Sequence, residues 1–534
     1  MYKIFLFFAA MLVSASCATA QVNSATSAYP APLSADTVKV LKPFPSHARL
    51  LYVSPQGNDA QGKGSASNPY ATIAYALGKA QRNDVIHLMR GTHVVNGTEI
   101  QIPSHVSIEG ENRDSTILIP GKNINKNAPF FEAKGINGNL EKEGFQYYKN
   151  FTVDGQEYAS AAFRAWARKN ILFENIVFKK FTNNAIDISG KNIEVKKCLF
   201  QQASGLENDG KNFSGVLRMM NIDTFAIHDN TIEENTGGGI KSVSSGILNG
   251  RIYRNNIKIT GNSQSTRNSS ASIEIWDIRK NTHIFENTLN AWVSLINQWG
   301  DDTSVPERNN LFFYRNTMTA TPGVTDKMSA VEIGLKGADF FENTIDGFRD
   351  RAFWMEGWGG EKKGVRNVRF YRNVLKNCGE ILTIGPHGNS IDAIDIFNNT
   401  SKACGGINIS PKRGNTYKNI NILNNLIQDV PGAFAFWGEK AQYANITLAS
   451  NLLINVKKGI IGTAKPDIIV RGQQSFKMVT QLNGLKVLAA KRVVCRTSGK
   501  TSTQLPKMLI DKGTKTPIAI PFCGAAIDIG AEER

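Results

Sequence analysis

Cysteine is scarce in this sequence, with only 6 among 534 residues. One lies at the apolar start of the chain, and the spacing of the other five does not match a metal site. These five are Cys198, Cys378, Cys404, Cys495 and Cys523. We expect the first three to be buried as small apolar side chains inside repeats, and the last two are the best placed for a disulfide. The sequence also lacks a phosphate-binding glycine loop and a nucleic-acid-binding motif.

Long apolar runs are missing beyond the first residues, so we predict no membrane-spanning segment. Residues 4–13 form an apolar run after a lysine, and residues 18–20 (Ala-Thr-Ala) fit a signal peptidase site. Residues 1–20 are therefore predicted to be a signal peptide, which implies a periplasmic, secreted or cell-surface protein. Lipid anchoring at Cys17 is disfavoured because Ser14 stands where a lipobox has an aliphatic residue.

A three-residue phrase, aromatic–charged–asparagine, recurs along the chain. It occurs at residues 173–175, 253–255, 285–287, 314–316, 341–343 and 371–373, and Asn399, Asn425 and Asn451 continue the series. The asparagine returns every roughly 25 to 32 residues, a period typical of stacked coils. We expect the asparagine amides to hydrogen-bond from coil to coil as a structural ladder.

The start of the repeat region has its own pattern. A strand and turn at residues 51–59 precede a short amphipathic helix that ends near Gln81, and a strand follows at residues 84–88. This stretch resembles the N-terminal entry of right-handed parallel β-helix proteins of the pectin-lyase-like superfamily. The resemblance implies an all-β, single-stranded right-handed parallel β-helix of about a dozen or more coils, with the short helix capping its open end.

The domain prediction follows from where the repeat begins and fades. We assign residues 21–48 to an extended leader, residues 49–473 to the β-helix and residues 474–534 to a basic C-terminal segment that packs on the solenoid. Members of the superfamily include pectate- and alginate-type lyases and several hydrolases. The Asn-Thr-Asp, Asp-Asp and His-Gly pattern of polygalacturonases and the arginine-bearing motifs of the commonest pectate lyases do not occur here, so no catalytic residue is carried over from a family.

Aligning the coils on the asparagine predicts one strand in which inward and outward residues alternate. The inward column is Phe163, Ile186, Ile240, Ile273, Val331, Phe353, Leu382, Ile407 and Phe434. The next residue in each coil faces outward: Arg164, Asp187, Lys241, Glu274, Glu332, Trp354, Thr383, Asn408 and Ala435. Two residues further, the same face carries Trp166, Trp276, Glu356, Gly385, Ser410 and Trp437.

All 7 tryptophans lie in or beside this part of the coil. Exposed indole rings stack on sugar rings, so a row of them would hold an extended glycan. The predicted substrate-binding residues are Trp166, Trp276, Trp354, Trp358 and Trp437, with Lys412 and Arg413. Trp292 and Trp299 are better explained as core residues at the corners of coils.

Ionisable residues among these aromatics support two enzyme interpretations. Glu332 and Glu356 should lie roughly 8 Å apart, which suits the two carboxyl groups of an inverting glycoside hydrolase, whereas Glu274 is about 10 Å from Glu332 and fits less well. A lyase needs a base, for which Lys336 or His387 is the candidate, and a cation such as Ca²⁺ to neutralise a uronate. The predicted calcium ligands are Asp277, Asp301 and Asp302, together with Glu274.

The net charge of +17 suits an anionic polymer, although such a charge also serves solubility. We therefore predict a monomeric polysaccharide lyase that acts by β-elimination on a uronate-containing substrate. An inverting glycoside hydrolase is nearly as well supported. The third hypothesis is a non-catalytic surface protein that binds glycan along the same groove.

Overall fold

The structure is a computed structural model that describes residues 40–122, 124–134, 142–203, 215–235, 237–242, 246–260, 271–296, 310–356, 365–385, 390–470 and 476–479. The predicted signal peptide, the first part of the leader, and residues 480–534 with Cys495 and Cys523 lie outside the described residues.

The chain winds into a parallel β-solenoid of about 13 turns, as the repeat predicts. The strands form a bent 28-stranded sheet, which we divide into a first and a second sheet, and a 15-stranded third sheet; each strand pairs in parallel with the equivalent strand of a neighbouring coil. We number the sheets in the order in which one coil passes through them. The first two are continuous through three long, bent strands, Ala161–Glu174, Ile186–Lys196 and Gly215–His228.

The first sheet carries the predicted inward and outward columns. Besides the long strands it contains Ile100–Gln101, Pro129–Glu132, Gly238–Ser242, Ile273–Ile275, Val293–Ile296, Val331–Gly334, Phe353–Met355, Leu382–Ile384, Ile407–Ile409, Gly432–Phe436 and Lys458–Ile461.

The second sheet precedes the asparagine turn. Its further strands are Leu50–Val53, Val85–Leu88, Ser107–Gly110, Lys142–Lys149, Ile247–Tyr253, Ile278–Lys280, Thr282–Phe285, Leu311–Tyr314, Lys336–Phe341, Val365–Tyr371, Ile391–Phe397, Tyr417–Leu423, Tyr443–Ala449 and Ile468–Val470.

The third sheet follows the turn. Its strands are Gly91–Val95, Thr116–Pro120, Thr152–Asp154, Val177–Lys179, Leu199–Gln201, Thr231–Asn235, Asn256–Ile259, Thr288–Leu289, Thr317–Thr319, Thr344–Asp346, Val374–Lys376, Thr400–Lys402, Leu426–Gln428, Asn451–Ile454 and Phe476–Val479. The last strand lies beyond residue 473, where the repeat was expected to end.

The predicted entry helix is present as Ile73–Lys79, with the Thr72 hydroxyl accepting a hydrogen bond from the Tyr75 amide. Its apolar face, Ile73, Ala76 and Leu77, joins the core of the solenoid. The helix therefore closes the open end of the first coil, which would otherwise present apolar side chains to water. A 3₁₀ turn, Lys440–Gln442, lies near the other end. Within the described ranges, none of the helices has the length and apolarity to cross a membrane.

The repeated phrase builds three parallel ladders along the solenoid. Each ladder asparagine, such as Asn316, donates from its backbone and side-chain amides to the side-chain oxygen of the next one, Asn343, at 3.0 and 3.1 Å. The residue before each ladder asparagine has a positive φ, which is 54° at Arg315. Positive and negative side chains alternate at this position from coil to coil, so that Arg315 lies 2.8 Å from Glu342. The aromatic residue of the phrase stacks on that of the next coil, as Tyr314 does on Phe341 at 4.8 Å.

The first occurrence of the phrase is out of register, which corrects the sequence alignment there. Strand pairing leads from Glu174 to Lys196 and, two coils further, to Tyr253. Glu174, and not Phe173, is therefore equivalent to the aromatic residue of the later phrases. Asn175 therefore takes the positive-φ position, with φ 54°, and does not belong to the buried ladder. The described ladder instead begins at Asn230, which donates to the Asn255 side chain at 3.0 Å. A one-residue slip is invisible in the sequence because the phrase itself is intact.

The three repeat cysteines, Cys198, Cys378 and Cys404, are buried and not disulfide-bonded. This confirms that they serve as small apolar side chains at the turn positions of their coils.

Candidate active site

The pairing register of the first sheet confirms both predicted columns. In the inward column, Phe163 pairs with Ile186 and Val331 pairs with Phe353, and these side chains are buried in the core. The sequence alignment skipped two coils, in which Leu217 and Val293 hold the same position. In the outward column, Glu332 pairs with Trp354 and the latter with Thr383, as predicted.

In its first half, the outward column is a series of ion pairs between neighbouring coils. The Arg164 guanidinium lies 2.9 Å from the Glu132 carboxylate, and that of Arg218 lies 2.5 Å from Asp187. Because each carboxylate here has a cation beside it, this half is accounted for by structural pairing.

The next pair in the column, Lys241 and Glu274, is completely buried. The Lys241 Nζ is 2.8 Å from Glu274 Oε2, and both side chains have 0% exposure. Burial raises the pKa of Glu274, while Lys241 and a hydrogen bond from the Trp276 indole act in the opposite sense. Glu274 was predicted to face solvent as a catalytic residue or calcium ligand. Its outward direction is correct, but it is covered and already ion-paired.

Two carboxylates of like charge follow in the middle coils. Glu332 is 7% exposed and accepts a hydrogen bond of 2.8 Å from the Ser294 hydroxyl of the preceding coil. Glu356 lies in the next coil, two residues after Trp354, which pairs with Glu332. Its backbone amide donates a hydrogen bond to the Ile333 carbonyl at 2.9 Å. This register places the two Cα atoms about 8 Å apart.

Glu356 holds its proton unusually tightly. Its side chain is fully buried, and burial is the largest cause that raises its pKa to about 8, followed by the negative charge of Glu332. A hydrogen bond from the Trp354 indole and the charge of Arg351 act in the opposite sense. A carboxyl group with this pKa is protonated at neutral pH and able to act as an acid.

Arg351 organises the side of the site that faces the next coil. Its guanidinium lies 5.0 Å from the centre of the Trp354 ring and donates to the Thr383 hydroxyl at 2.9 Å. The same group is 3.8 Å from Glu380, whose other oxygen accepts a hydrogen bond from Asn408 at 3.0 Å. These contacts hold the Trp354 ring, so the tryptophan is fixed beside both carboxylates.

The predicted tryptophans that the structure describes are all at least partly exposed. Trp166 has the Arg164 guanidinium 4.8 Å from its ring centre, and Trp437 is 38% exposed. Trp276, Trp354 and Trp292 have intermediate burial, so Trp292 is not the core residue that was expected. Trp358 and Trp299 lie outside the described residues.

The other predicted site residues are spread over a wider area. Lys336 begins a strand of the second sheet and pairs in register with Arg366. Lys412 and Arg413 are exposed in a turn after Ile407–Ile409.

Asp277, a predicted calcium ligand, forms an ion pair with Arg279 at 2.9 Å. In the described part of the chain, no group of three or more His, Cys, Asp or Glu residues is arranged to hold a metal ion. Asp301, Asp302 and His387 lie outside that part, so calcium binding and the role of His387 stay predictions.

Sequence reasoning missed Ser294 and Arg351. Ser294 belongs to a coil that the alignment skipped, and its place opposite Glu332 could have been found by counting the coil at residues 287–316. Arg351 precedes its strand, so it lies off the columns that were counted. Its approach to the ring depends on the turn conformation and leaves no periodic signal.

Comparison with known proteins finds similar solved structures alone. No protein-family model matches the chain, and no curated protein matches it. Similar solved structures include the A-module of the mannuronan C-5 epimerase AlgE4 of Azotobacter vinelandii, with 10% identity, a TM-score of 0.34 and coverage of 76% of this chain and 93% of that chain. The surface adhesin PfbA of Streptococcus pneumoniae has 12% identity, a TM-score of 0.38 and coverage of 76% and 88%.

A third similar structure is the catalytic unit of a GH87 alpha-1,3-glucanase from Streptomyces thermodiastaticus, with 14% identity, a TM-score of 0.40 and coverage of 71% and 68%. Two of these proteins are named as enzymes and one as an adhesin. Similarity this remote does not transfer an activity to this chain.

Proposed function

We propose that this protein cleaves a polysaccharide by acid–base catalysis, with Glu356 as the general acid and Glu332 as its partner carboxylate. The observation that supports this most is the pKa of Glu356, which burial and the Glu332 charge raise to about 8. Two neighbouring carboxyl groups, of which one keeps its proton at neutral pH, are the arrangement that glycosidic bond hydrolysis requires.

The Cα spacing of Glu332 and Glu356, about 8 Å, is compatible with hydrolysis with inversion. Side chains that leave the sheet in parallel from these positions would leave room for a water molecule between the base and the sugar. Glu356 would protonate the leaving oxygen, and Glu332 would take a proton from that water. The Ser294 hydroxyl donates a hydrogen bond to Glu332 and orients its carboxylate.

Tryptophans extend the site along the solenoid axis. Trp276 lies three coils before Trp354, and Trp437 lies three coils after it. At about 4.8 Å per coil, each is about 14 Å away from the catalytic coil along the axis. An extended glycan that stacks on these rings would run parallel to the axis and pass over both carboxylates.

The cations beside the site favour β-elimination on a uronate polymer as a second candidate. Lys336 and Arg366 occupy equivalent positions in adjacent coils, two residues past the column that contains Glu356. Such a pair would neutralise the carboxylate of a uronate, and Lys336 would serve as the base that removes the proton at C5. In this mechanism Glu356 remains the acid for the leaving oxygen.

The test uses the purified full chain with a panel of acidic and neutral polysaccharides, with and without Ca²⁺. New reducing ends without ultraviolet absorbance, together with an inverted anomeric configuration in the product by NMR, support hydrolysis. Absorbance from an unsaturated sugar supports elimination instead. Binding to a glycan without any cleavage across the panel would contradict both and favour the non-catalytic hypothesis.

A further inference from the structure

A column of core side chains lies at the turn between the third sheet and the first. Backbone hydrogen bonds connect it from coil to coil, since the Gly379 amide donates to the Phe348 carbonyl at 2.9 Å and the Gly405 amide to the Cys378 carbonyl at 3.1 Å. In these coils the column includes, in order, Phe348, Cys378, Cys404, Val430 and Val456, all of which belong to the main core. Two adjacent positions of an otherwise apolar column therefore carry thiols.

The two cysteines are placed alike in their coils. The Cys378 thiol donates to the Lys376 carbonyl at 3.1 Å, and the Cys404 thiol donates to the Lys402 carbonyl at 3.5 Å. Because Lys376 and Lys402 pair in register, the two cysteine Cα atoms lie one strand spacing, about 4.8 Å, apart. This distance lies within the roughly 4.4 to 6.8 Å found across disulfides. A bond between the two sulfur atoms thus requires a change of side-chain rotamer and little movement of the backbone.

Cys198 provides an internal comparison. Its thiol also donates to the carbonyl two residues earlier, that of Lys196, at 3.3 Å. Its neighbours at the equivalent position of the adjacent coils are Ile176 and Asn230. Cys198 is therefore a buried thiol with similar local geometry whose two neighbours are not cysteines.

We propose that Cys378 and Cys404 are a redox-active pair that closes into a disulfide between two adjacent coils. The predicted signal peptide would take the chain to a compartment that favours such bonds. A hydrogen bond between the two side chains lowers the pKa of Cys404, so its sulfur is the nucleophile.

The oxidant required is a molecule that itself carries a disulfide. The ionised Cys404 sulfur attacks one sulfur of that disulfide, and the other sulfur leaves as a thiol. The Cys378 sulfur loses its proton and displaces the second thiol from the mixed disulfide. The pair thus transfers two protons and two electrons, and the oxidant becomes two thiols.

The bond would connect two coils that build one side of the candidate site. Glu380 follows Cys378 by two residues, and Asn408 follows Cys404 by four. The Asn408 amide donates to Glu380 at 3.0 Å, and Glu380 lies 3.8 Å from Arg351. A disulfide here restrains the two coils at the start of this network, whether or not the protein is an enzyme.

Disulfide mapping of the full chain tests this proposal. One sample of folded protein is incubated with a mixture of reduced and oxidised glutathione, and a second is reduced in urea and refolded in the same mixture, so that access to buried thiols is not limiting. Both are alkylated and digested with trypsin, which cleaves after Lys402 and so separates the two cysteines.

Most refolded molecules should contain a peptide pair linked through Cys378 and Cys404, while Cys198 is alkylated. Alkylation of Cys378 and Cys404 to the same extent as Cys198 in both samples overturns the proposal. Bonds from either residue to a different cysteine also overturn it.

Matched variants connect the bond to the stability of the solenoid. Cys378→Val/Cys404→Val gives both positions the residue that Val430 and Val456 carry in the next coils. Dithiothreitol should lower the Tm of the oxidised wild type and of Cys198→Ala by several °C, because a disulfide restricts the unfolded chain, and should leave the Tm of the double variant unchanged. A shift of the same size in the double variant would assign it to other cysteines and overturn the proposal. Neither measurement depends on catalytic activity.

Discussion

Two pairs of ionisable residues in the same outward face of the first sheet differ in one respect. Lys241 and Glu274 are a buried ion pair of opposite charge, whereas Glu332 and Glu356 are neighbouring carboxylates of like charge. Burial is the largest cause of a raised pKa for both Glu274 and Glu356. The second cause is the charge of the neighbouring residue, and it acts in opposite directions in the two pairs. Lys241 favours the ionised form of Glu274, whereas Glu332 disfavours the ionised form of Glu356.

The difference separates a structural pair from a reactive one. A buried carboxylate with a cation at 2.8 Å has its charge compensated, and its removal affects folding. A buried carboxyl group beside another carboxylate keeps a proton that a substrate can accept. Equal burial on one face of the sheet therefore leads to two different roles, and the charge of the neighbour decides which.

The largest expected effect is on activity, in the Glu356→Gln variant. Removal of a general acid should lower kcat by about 10²- to 10⁴-fold, because glutamine cannot protonate the leaving oxygen. Initial rates on the substrate identified by the panel measure this loss. The matched control is Glu274→Gln, which alters the other buried glutamate of the comparison and should keep kcat per folded molecule within a few-fold of wild type. A large loss in the control together with full activity in Glu356→Gln would reverse the two roles.

The next effect concerns stability, in the Lys241→Met variant. This change leaves the Glu274 carboxylate buried without its cation, and we expect a loss of about 3–5 kcal/mol in the free energy of unfolding. In Lys241→Met/Glu274→Leu, both charges are replaced by apolar side chains, so most of that loss should be recovered. Urea denaturation of the wild type and both variants measures these values. A double variant as unstable as the single one would show that the charge imbalance is not the cause.

Much of the fold could be predicted from the sequence because the solenoid repeats one unit. The period of the asparagine set the register of the coils, and both columns of the first sheet were placed correctly from it. The error at Asn175 arose where the phrase is present but shifted by one residue relative to the later coils. Hydrogen bonding between asparagines, rather than the local phrase, decides membership of the ladder.

The candidate site was predictable only in part. The proximity of Glu332 and Glu356 followed from the register, but their burial did not, since alternation along a strand gives the direction of a side chain and not what covers it. For the same reason both Glu274 and Glu356 were expected at the surface of a groove, although neither side chain is exposed. The Arg351 contact with Trp354 depends on a turn, which carries no period.

A third expected effect is a pH dependence of stability that Glu356 contributes. Its pKa is about 8 in the folded protein against an ordinary value of 4.5, so between these values the folded chain binds a proton that the unfolded chain has released. The free energy of unfolding should therefore fall as pH rises from about 4.5 to about 8, by at most about 1.4 kcal/mol per pH unit. Urea denaturation of wild type and Glu356→Gln at pH 5, 6, 7 and 8 isolates this contribution, since glutamine does not titrate. The stability of the variant relative to wild type should increase over this range, and a constant difference would show that Glu356 is ionised in the folded protein and cannot be the acid.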